Sequence, residues 1–179
     1  MKYAGIINND VVNGYDVCVS YWCQGCVFHC PGCHNPQTWD FGGGMDANED
    51  ELINYIQDAI TLNGIQRNLS ILGGEPLCDE NIEFTHKLIN SVKSKYPTIM
   101  IFLWTGYIWE DILSRLDKYA TIRQDILENI NVLIDGRFDI NLRDITLPFR
   151  GSKNQRVIDV KKSLETNNII ILTRGLTND

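Results

Sequence analysis

The sequence predicts an α/β fold built on a parallel β-sheet, in the form of an open or partial β/α barrel. Segments typical of strands and segments typical of helices alternate along the chain, and this alternation favours a parallel sheet with right-handed crossovers. The chain has 179 residues, whereas a closed barrel of eight strand–helix units typically takes about 250. Because no long linker divides the chain, we expect residues 1–179 to form a single domain.

The first predicted elements are two strands and two helices. Residues 17–22 are β-branched and aromatic, which is typical of a strand, and they run directly into a loop rich in cysteine. Asn48 and Glu51 have the spacing of a capping box, and the apolar residues after them follow a helical period that Gly64 ends. The next strand is predicted at residues 68–72 and the next helix at residues 79–95.

The remaining elements continue the alternation. Residues 99–104 form a near-continuous apolar run, typical of a strand that is covered on both faces. Residues 109–116 and 122–130 can each be helical, residues 131–134 have the pattern of a strand, and residues 169–173 are predicted to form the last strand.

Three segments that are not apolar follow the first three predicted strands. They are the cysteine loop, residues 73–76 and residues 105–107. In open parallel sheets, ligands bind outside the carboxyl ends of the strands. The three segments are therefore expected to face one shared cleft.

The cysteine loop has the ligands of a metal centre. Cys26, Cys30 and Cys33 are separated by three and then two residues, and thiolates are soft ligands that favour zinc or iron–sulfur clusters. A cubic four-iron cluster held by three cysteines leaves one iron free. Cys23 adds a fourth cysteine, so a structural zinc site or a fully ligated electron-transfer cluster remains an alternative. Zinc sites usually separate their ligand pairs by about a dozen residues or more, whereas only three residues lie between Cys26 and Cys30 in this loop.

Composition argues against nucleic-acid-binding and membrane-spanning proteins. The net charge of -7 argues against a broad nucleic-acid surface, although Arg137, Arg143, Arg150 and Arg156 could form a local patch; for Arg143 a solvated position is expected. The longest apolar run, residues 99–104, is far shorter than the roughly 20 residues of a membrane-spanning helix. The clustered cysteines, and a first ten residues without a leader pattern, predict a cytoplasmic, reducing location.

The order of two motifs indicates a family. The cysteines Cys26, Cys30 and Cys33 after one strand, followed by Gly73-Gly74-Glu75-Pro76 after the next, resemble the radical S-adenosylmethionine superfamily. Alone, the second motif would be an ordinary turn. Five further segments resemble the activating proteins of anaerobic (class III) ribonucleoside-triphosphate reductases: Val12-Asn13-Gly14, Gly32-Cys33-His34-Asn35 with Thr38-Trp39, Trp104-Thr105-Gly106-Tyr107, Asp135-Gly136-Arg137-Phe138, and Arg150 to Arg156. The resemblance spans residues 3–160 and implies a partial, open parallel β/α barrel of the radical S-adenosylmethionine type.

The resemblance also implies the cofactors and their ligands. Cys26, Cys30 and Cys33 would each bind one iron of a [4Fe-4S] cluster, and S-adenosylmethionine would chelate the fourth iron. Gly73, Gly74 and Glu75 would hold the methionine portion, with Glu75 as an anion near its ammonium group. Many relatives have an aromatic residue where this chain has Gly32, so the backbone of Gly32, Cys33 and His34, or the His34 ring, is expected to contact adenine instead.

The implied activity is that of an activase. Reductive cleavage of S-adenosylmethionine would yield a 5'-deoxyadenosyl radical that takes hydrogen from a glycine of the large reductase subunit. A small protein would donate the electron, and no nucleic acid or membrane takes part. No general acid or base is required, so none is assigned to His29, His34 or His86, the last of which is expected to be exposed on a helix. The alternatives are an activase of another glycyl-radical enzyme, such as pyruvate formate-lyase, and an inert metal module.

Two groups of residues are expected to serve other purposes. Aromatic residues could form a docking wall for the reductase, although core packing is an equal alternative for Trp104, which ends an apolar strand. The segment from Arg150 to Arg156 is expected to contribute to docking. The aromatic residues are Trp39, Trp104, Tyr107 and Trp109. Cys18, Cys23 and Cys78 are interpreted as small buried hydrophobic residues.

Overall fold

A computed structural model of the protein describes residues 1–172, which form one mixed β-sheet with α-helices packed against it. The strands are β1 (Lys2–Asp10), β2 (Cys18–Cys23), β3 (Met45–Asp46), β4 (Asn68–Gly73), β5 (Ile101–Trp104), β6 (Val132–Asp135) and β7 (Arg156–Asp159). The helices are α1 (Glu49–Ile60), α2 (Ile82–Lys95), α3 (Trp109–Ser114), α4 (Ala120–Asn129) and α5 (Val160–Thr166).

The centre of the sheet is parallel and its edges are antiparallel. The strand order is β3-β1-β2-β4-β5-β6-β7, and β2, β4, β5 and β6 run parallel to one another. Strands β1 and β3 complete one edge and β7 the other, each in antiparallel pairing. The predicted parallel sheet is thus confirmed for its four central strands. The sheet is not closed, and the partial barrel that the resemblance implies is not confirmed.

Most predicted elements are present, with shifted ends. The predicted strands at residues 17–22, 68–72, 99–104 and 131–134 correspond to β2, β4, β5 and β6, and the four predicted helices correspond to α1 to α4. The prediction missed β1, β3, β7 and α5. The predicted strand at residues 169–173 is reduced to one antiparallel bridge between Ile171 and Ile158, and Thr173 lies outside the described residues.

The start of α1 follows the prediction. The side-chain oxygen of Asn48 accepts hydrogen bonds from the backbone N–H groups of Asp50 and Glu51, at 2.9 and 3.2 Å, which satisfies two of the free donors at the helix start. The helix ends at Ile60. Gly64 instead closes a short 3-10 turn, four residues beyond the helix.

Apolar side chains cover both faces of the parallel strands. On one face, Ile101 and Leu103 of β5 pack in a large cluster with residues of α1, α2, α3 and α4. On the other face, Phe102 packs with Val132 and Ile134 under the partly buried Tyr15 and Phe149. This alternation fits the apolar run of β5, since successive strand residues point to opposite faces. Within residues 1–172, no helix has the length and apolar character to cross a bilayer.

Candidate active site

A cleft of about 430 Å³ lies at the carboxyl ends of the parallel strands, and its size is within the range of small-molecule sites. Every motif singled out in the sequence contributes to its wall. The lining includes Val12, Asn13, Cys26, Cys30, Cys33, His34, Trp39, Gly73, Gly74, Glu75, Thr105, Gly106, Arg137, Phe138, Arg150, Gly151 and Gln155. The shared cleft that the strand order predicted is therefore present.

The three cysteines share this wall on a loop with a fixed backbone. Cys26, Cys30 and Cys33 are free thiols of intermediate exposure. The N–H groups of Gly25 and Cys26 donate to the carbonyls of Thr38 and Trp39, at 2.8 and 3.1 Å. Burial raises the pKa of the Cys26 and Cys30 thiols. A nearby cationic iron would reverse this effect, because metal coordination stabilises the thiolate.

The thiols and polar donors of the cleft have the chemistry of an iron–sulfur cluster site. Within residues 1–172, no three His, Cys, Asp or Glu side chains surround a point where one metal ion could bind. Three cysteines that bind different irons of a cube do not need to share such a point. The indole N–H groups of Trp22 and Trp39 and the Nε of Arg150 are buried and have no hydrogen-bond partner among the residues that the structure describes, and all three side chains line the cleft. Such donors suit the sulfides and thiolates of a [4Fe-4S] cluster, or a carboxylate ligand.

The Gly73-Gly74 turn packs directly against the start of the cysteine loop. A Cβ on Gly74 would lie 2.2 Å from the carbonyl oxygen of Gly25, so only glycine fits there. The N–H groups of Gly74 and Glu75 donate to the carbonyls of Cys23 and Gly25, at 2.9 and 2.8 Å. The two motifs thus form one unit of backbone contacts, and this contact requires Gly74 independently of any ligand.

Glu75 is a buried carboxylate with three hydrogen-bond donors. Oε1 accepts from the N–H of Leu77 and the hydroxyl of Thr105, at 2.9 and 2.7 Å, and Oε2 accepts from the N–H of Gly106 at 2.7 Å. Burial raises the pKa of Glu75 to about 7, against the lowering effect of these hydrogen bonds. Since a carboxylate has about four acceptor positions, Oε2 can still accept one more hydrogen bond from the cleft.

Asn81 is a site residue that the sequence reasoning missed. Its side-chain amide donates to the carbonyls of Gln24, Gly25 and Glu75, at 3.1, 3.2 and 3.0 Å. It therefore ties the cysteine loop to the turn that carries Glu75. An Asn just before a helix is typical of an N-cap, but the Asn81 side chain makes no capping hydrogen bond. The sequence pattern alone does not reveal its connection to residues more than 50 positions away.

Gly32 and His34 lie at the exposed end of the cysteine loop. Gly32 is in the left-handed region, with φ of +75°, and Ile140 lies beside it. The His34 ring lies 5.7 Å from the Phe138 ring between centroids, and both rings line the cleft. Phe138 is thus an aromatic neighbour in the region where the sequence has no aromatic residue before the third cysteine.

Several side chains expected to dock a partner are used within the fold. Trp109 is buried, and the indole of Trp104 donates to the Phe149 carbonyl at 2.6 Å. Tyr107 packs edge-on against Phe28. The guanidinium of Arg156 pairs with Asp135 and Glu110, so Arg156 supports the fold; its docking role stays a prediction.

Of the other expectations for single residues, those for the three buried cysteines and Arg143 are confirmed and that for His86 is wrong. Cys18, Cys23 and Cys78 are buried, as expected, and Arg143 is exposed. The expectation of an exposed His86 is wrong: its ring is half-buried and pairs with Asp125 on the neighbouring helix α4.

Comparisons with known proteins show which proteins this chain resembles. Residues 12–158 match the model of the 4Fe-4S single cluster domain family, and this range contains all three cysteines of the cleft. The chain is 36% identical over 161 residues to the anaerobic ribonucleoside-triphosphate reductase-activating protein of Escherichia coli (strain K12), covering 88% of this chain and 97% of that protein.

Proteins with the same description from other organisms are also similar to this chain. That of Vibrio cholerae is 35% identical over 155 residues, covering 87% of this chain and 96% of the relative. That of Enterobacteria phage T4 is 34% identical over 157 residues, covering 88% of this chain and 93% of the relative.

Proposed function

This chain belongs to the family of anaerobic ribonucleoside-triphosphate reductase-activating proteins and contains a 4Fe-4S single cluster domain; on that premise we propose that it is a radical S-adenosylmethionine activase. Its substrate is the large subunit of an anaerobic ribonucleotide reductase, on which it generates a glycyl radical. The observation that carries the proposal is the cleft in which three cysteines meet the Gly73-Gly74-Glu75 turn.

Cys26, Cys30 and Cys33 hold the cluster in this proposal. When bound, the [4Fe-4S] cluster and S-adenosylmethionine supply one-electron reductive cleavage of the sulfonium. The chain itself fixes the positions of the ligands. The Gly25 carbonyl contacts Gly74 and Asn81 as well as Glu75, so the cysteine loop and the cofactor-binding turn keep one relative position.

Glu75 binds the ammonium group of S-adenosylmethionine through the acceptor position that Oε2 retains. The three protein donors hold the carboxylate in place, and a bound cation would favour its charged form. Gly73 and Gly74 bring the backbone close to the methionine portion, while Gly32, Cys33 and His34 contact the adenine. Phe28, whose ring centroid lies 4.2 Å from the Arg137 guanidinium, belongs to the same cleft wall.

The electron comes from a small redox protein that approaches the exposed side of the cysteine loop. No side chain acts as a general acid or base. Pyruvate formate-lyase is a less suitable substrate, since the relatives are named for the ribonucleotide reductase.

The proposal is tested by anaerobic reconstitution with iron and sulfide, followed by dithionite and S-adenosylmethionine. We expect 5'-deoxyadenosine and methionine, and a glycyl-radical signal in electron paramagnetic resonance when the large reductase subunit is added. Cys30→Ala should abolish cleavage. Cys23→Ala is the matched control and should largely retain it, because Cys23 is a buried residue of β2. A fully reconstituted cluster that leaves S-adenosylmethionine intact would contradict the proposal.

A further inference from the structure

Three residues that directly follow β6 lie against the cysteine loop. They are Gly136, Arg137 and Phe138, which we call the arginine turn. The guanidinium of Arg137 lies 4.2 Å from the centroid of the Phe28 ring. The ring of Phe138 lies 5.7 Å from the His34 ring between centroids. Because Phe28 comes before Cys30 in the chain and His34 after it, the arginine turn approaches the loop on both sides of this cysteine.

Hydrogen bonds from a distant segment hold the backbone of the arginine turn. The side-chain amide of Gln155 donates to the Gly136 carbonyl at 3.0 Å. That of Asn154 donates to the Arg137 carbonyl at 2.8 Å. The Arg137 carbonyl and the Phe138 N–H belong to one planar trans peptide unit, so they point in opposite directions. Asn154 therefore fixes the direction in which the Phe138 N–H points.

The sulfur of Cys30 accepts this N–H. Burial raises the pKa of the Cys30 thiol, and the nearby Cys33 adds to that effect. The hydrogen bond from the Phe138 N–H and the positive charge of Arg137 lower the same pKa, because both favour negative charge on the sulfur. The arginine turn thus places a hydrogen-bond donor and a positive charge beside one of the proposed cluster ligands.

The charge of Arg137 is not neutralised by an ion pair. Among residues 1–172, the carboxylate groups pair with other cations, such as Asp135 with Arg156, and none pairs with Arg137. The potential of an iron–sulfur cluster depends on nearby charge and on hydrogen bonds to its sulfurs. Since reduction adds one negative charge, a positive charge and an N–H donor stabilise the reduced form more than the oxidised form.

We propose that the arginine turn raises the reduction potential of the cluster bound by the three cysteines of the cleft. Arg137 and the Phe138 N–H act on the sulfur of Cys30, and Asn154 is the positioning residue that directs this N–H. The inference rests on the proposed function, from which it takes the [4Fe-4S] cluster, but it does not involve S-adenosylmethionine. It gives Asn154 a role within the chain that does not depend on a partner protein.

The test is a redox titration of the reconstituted cluster, followed by electron paramagnetic resonance, in anaerobic protein without S-adenosylmethionine. We expect Arg137→Gln to make reduction about tenfold less favourable, which lowers the midpoint potential of a one-electron couple by about 59 mV. Arg137→Lys keeps the charge and should retain most of the potential. The control is Arg143→Gln, because Arg143 is an exposed arginine of the following loop that does not line the cleft; its potential should be unchanged.

Iron and sulfide analysis shows whether each variant holds a full cluster. If Arg137→Gln does not, Asn154→Ala provides the milder change, and it should lower the potential by a smaller amount because the Phe138 N–H loses its fixed direction. An unchanged potential in Asn154→Ala would contradict the role of that N–H.

Two further outcomes separate this proposal from the proposed function. Equal potentials for Arg137→Gln and the unmodified protein, or an equal shift in Arg143→Gln, would overturn the role of the arginine turn. A fully reconstituted cluster that leaves S-adenosylmethionine intact would instead overturn the proposed function. It would not affect the measured potentials, since the titration contains no S-adenosylmethionine.

Discussion

Asn81 shows how one side chain can set the geometry of the cleft. Its amide serves three carbonyls on two segments. Asn81→Ala should cost about 1–3 kcal/mol of unfolding free energy, because these buried carbonyls lose a donor. It should also speed hydrogen exchange at the N–H of Glu75, which donates to Gly25. Urea denaturation and exchange mass spectrometry measure the two effects.

Asn129 is the control for this substitution. Its amide donates to the Asp125 carbonyl within helix α4 and does not join two segments. Asn129→Ala should leave exchange at Glu75 unchanged. If the two variants exchange alike at Glu75, Asn81 does not hold the two motifs together.

The raised pKa of Glu75 predicts that the free energy of unfolding depends on pH. Burial raises its pKa from 4.5 to about 7 in the folded state, so the folded state binds more protons between these two values. Its contribution to stability is therefore full below about pH 4.5 and is lost as the pH rises towards 7. The loss should reach at most about 3 kcal/mol. Urea denaturation of the metal-free protein at a series of pH values measures it.

The variant Glu75→Gln separates this effect from other titrations. A glutamine does not titrate, so the decline in stability between pH 4.5 and 7 should become smaller. The variant should also be less stable at low pH, because the amide NH₂ faces a donor such as the Gly106 N–H and cannot accept its hydrogen bond. An equal decline in both proteins would show that other groups cause it.

At the scale of elements, an ion pair joins β6, β7 and α3. The Nε of Arg156 donates to the fully buried Asp135 at 2.9 Å, and its terminal nitrogens donate to Glu110 at 3.0 and 2.7 Å. Arg156→Met leaves a buried charge unpaired and should cost about 3–5 kcal/mol. Glu110→Gln removes the exposed partner and should cost less than about 1 kcal/mol. Both costs are measured by urea denaturation. Similar costs for the two variants would show that the contact with Asp135 is not the more important of the two ion pairs.

A compensating substitution provides the control. The double variant Asp135→Asn, Arg156→Met removes both charges, while the side-chain oxygen of residue 135 can still accept the hydrogen bond from the Trp109 N–H. It should recover part of the stability that Arg156→Met loses. If it does not, packing of the Arg156 stem, rather than charge, explains the loss.

The sequence predicted those helices and strands whose own residues have a clear helical or strand pattern. Strand β5 is a continuous apolar run, and α1 has both a cap and a helical period. Strand β1 contains Gly5, two consecutive Asn residues and Asp10, types that are depleted in strands. It forms because β2 offers an edge to pair with. Strand β7 is short and owes its position partly to the ion pair with Asp135, which local pattern does not reveal.

The candidate site, like the fold, was predictable from the sequence only in part. Strand order and motif positions were sufficient to predict that the cysteines and Glu75 meet at one end of the sheet. The sequence did not reveal that Gly74 is required by contact with Gly25, or that Arg156 turns towards Asp135. Both depend on contacts between distant segments. The physical roles of Gly74 and Arg156 follow from the packing of these segments.

At the scale of the whole molecule, the apolar core does not depend on the cysteine loop. The two clusters on the faces of the sheet contain none of Cys26, Cys30 and Cys33. These cysteines lie at one end of the sheet, on a loop held by its own backbone hydrogen bonds. The loop that carries the three cysteines is therefore positioned by the fold.

Removal of the cluster should consequently leave the fold largely intact. We expect the protein treated with chelator and oxidant, then reduced, to keep its far-ultraviolet circular dichroism and to unfold cooperatively in urea. Hydrogen exchange should increase mainly in residues 24–40, where the loop loses its ligand contacts. Cys30→Ala, which should not hold a stable cluster, serves as the control and should behave like the stripped protein. A structural zinc site would give the opposite result, since small domains that depend on such metals unfold when the metal is removed; loss of cooperative unfolding on stripping would favour that alternative.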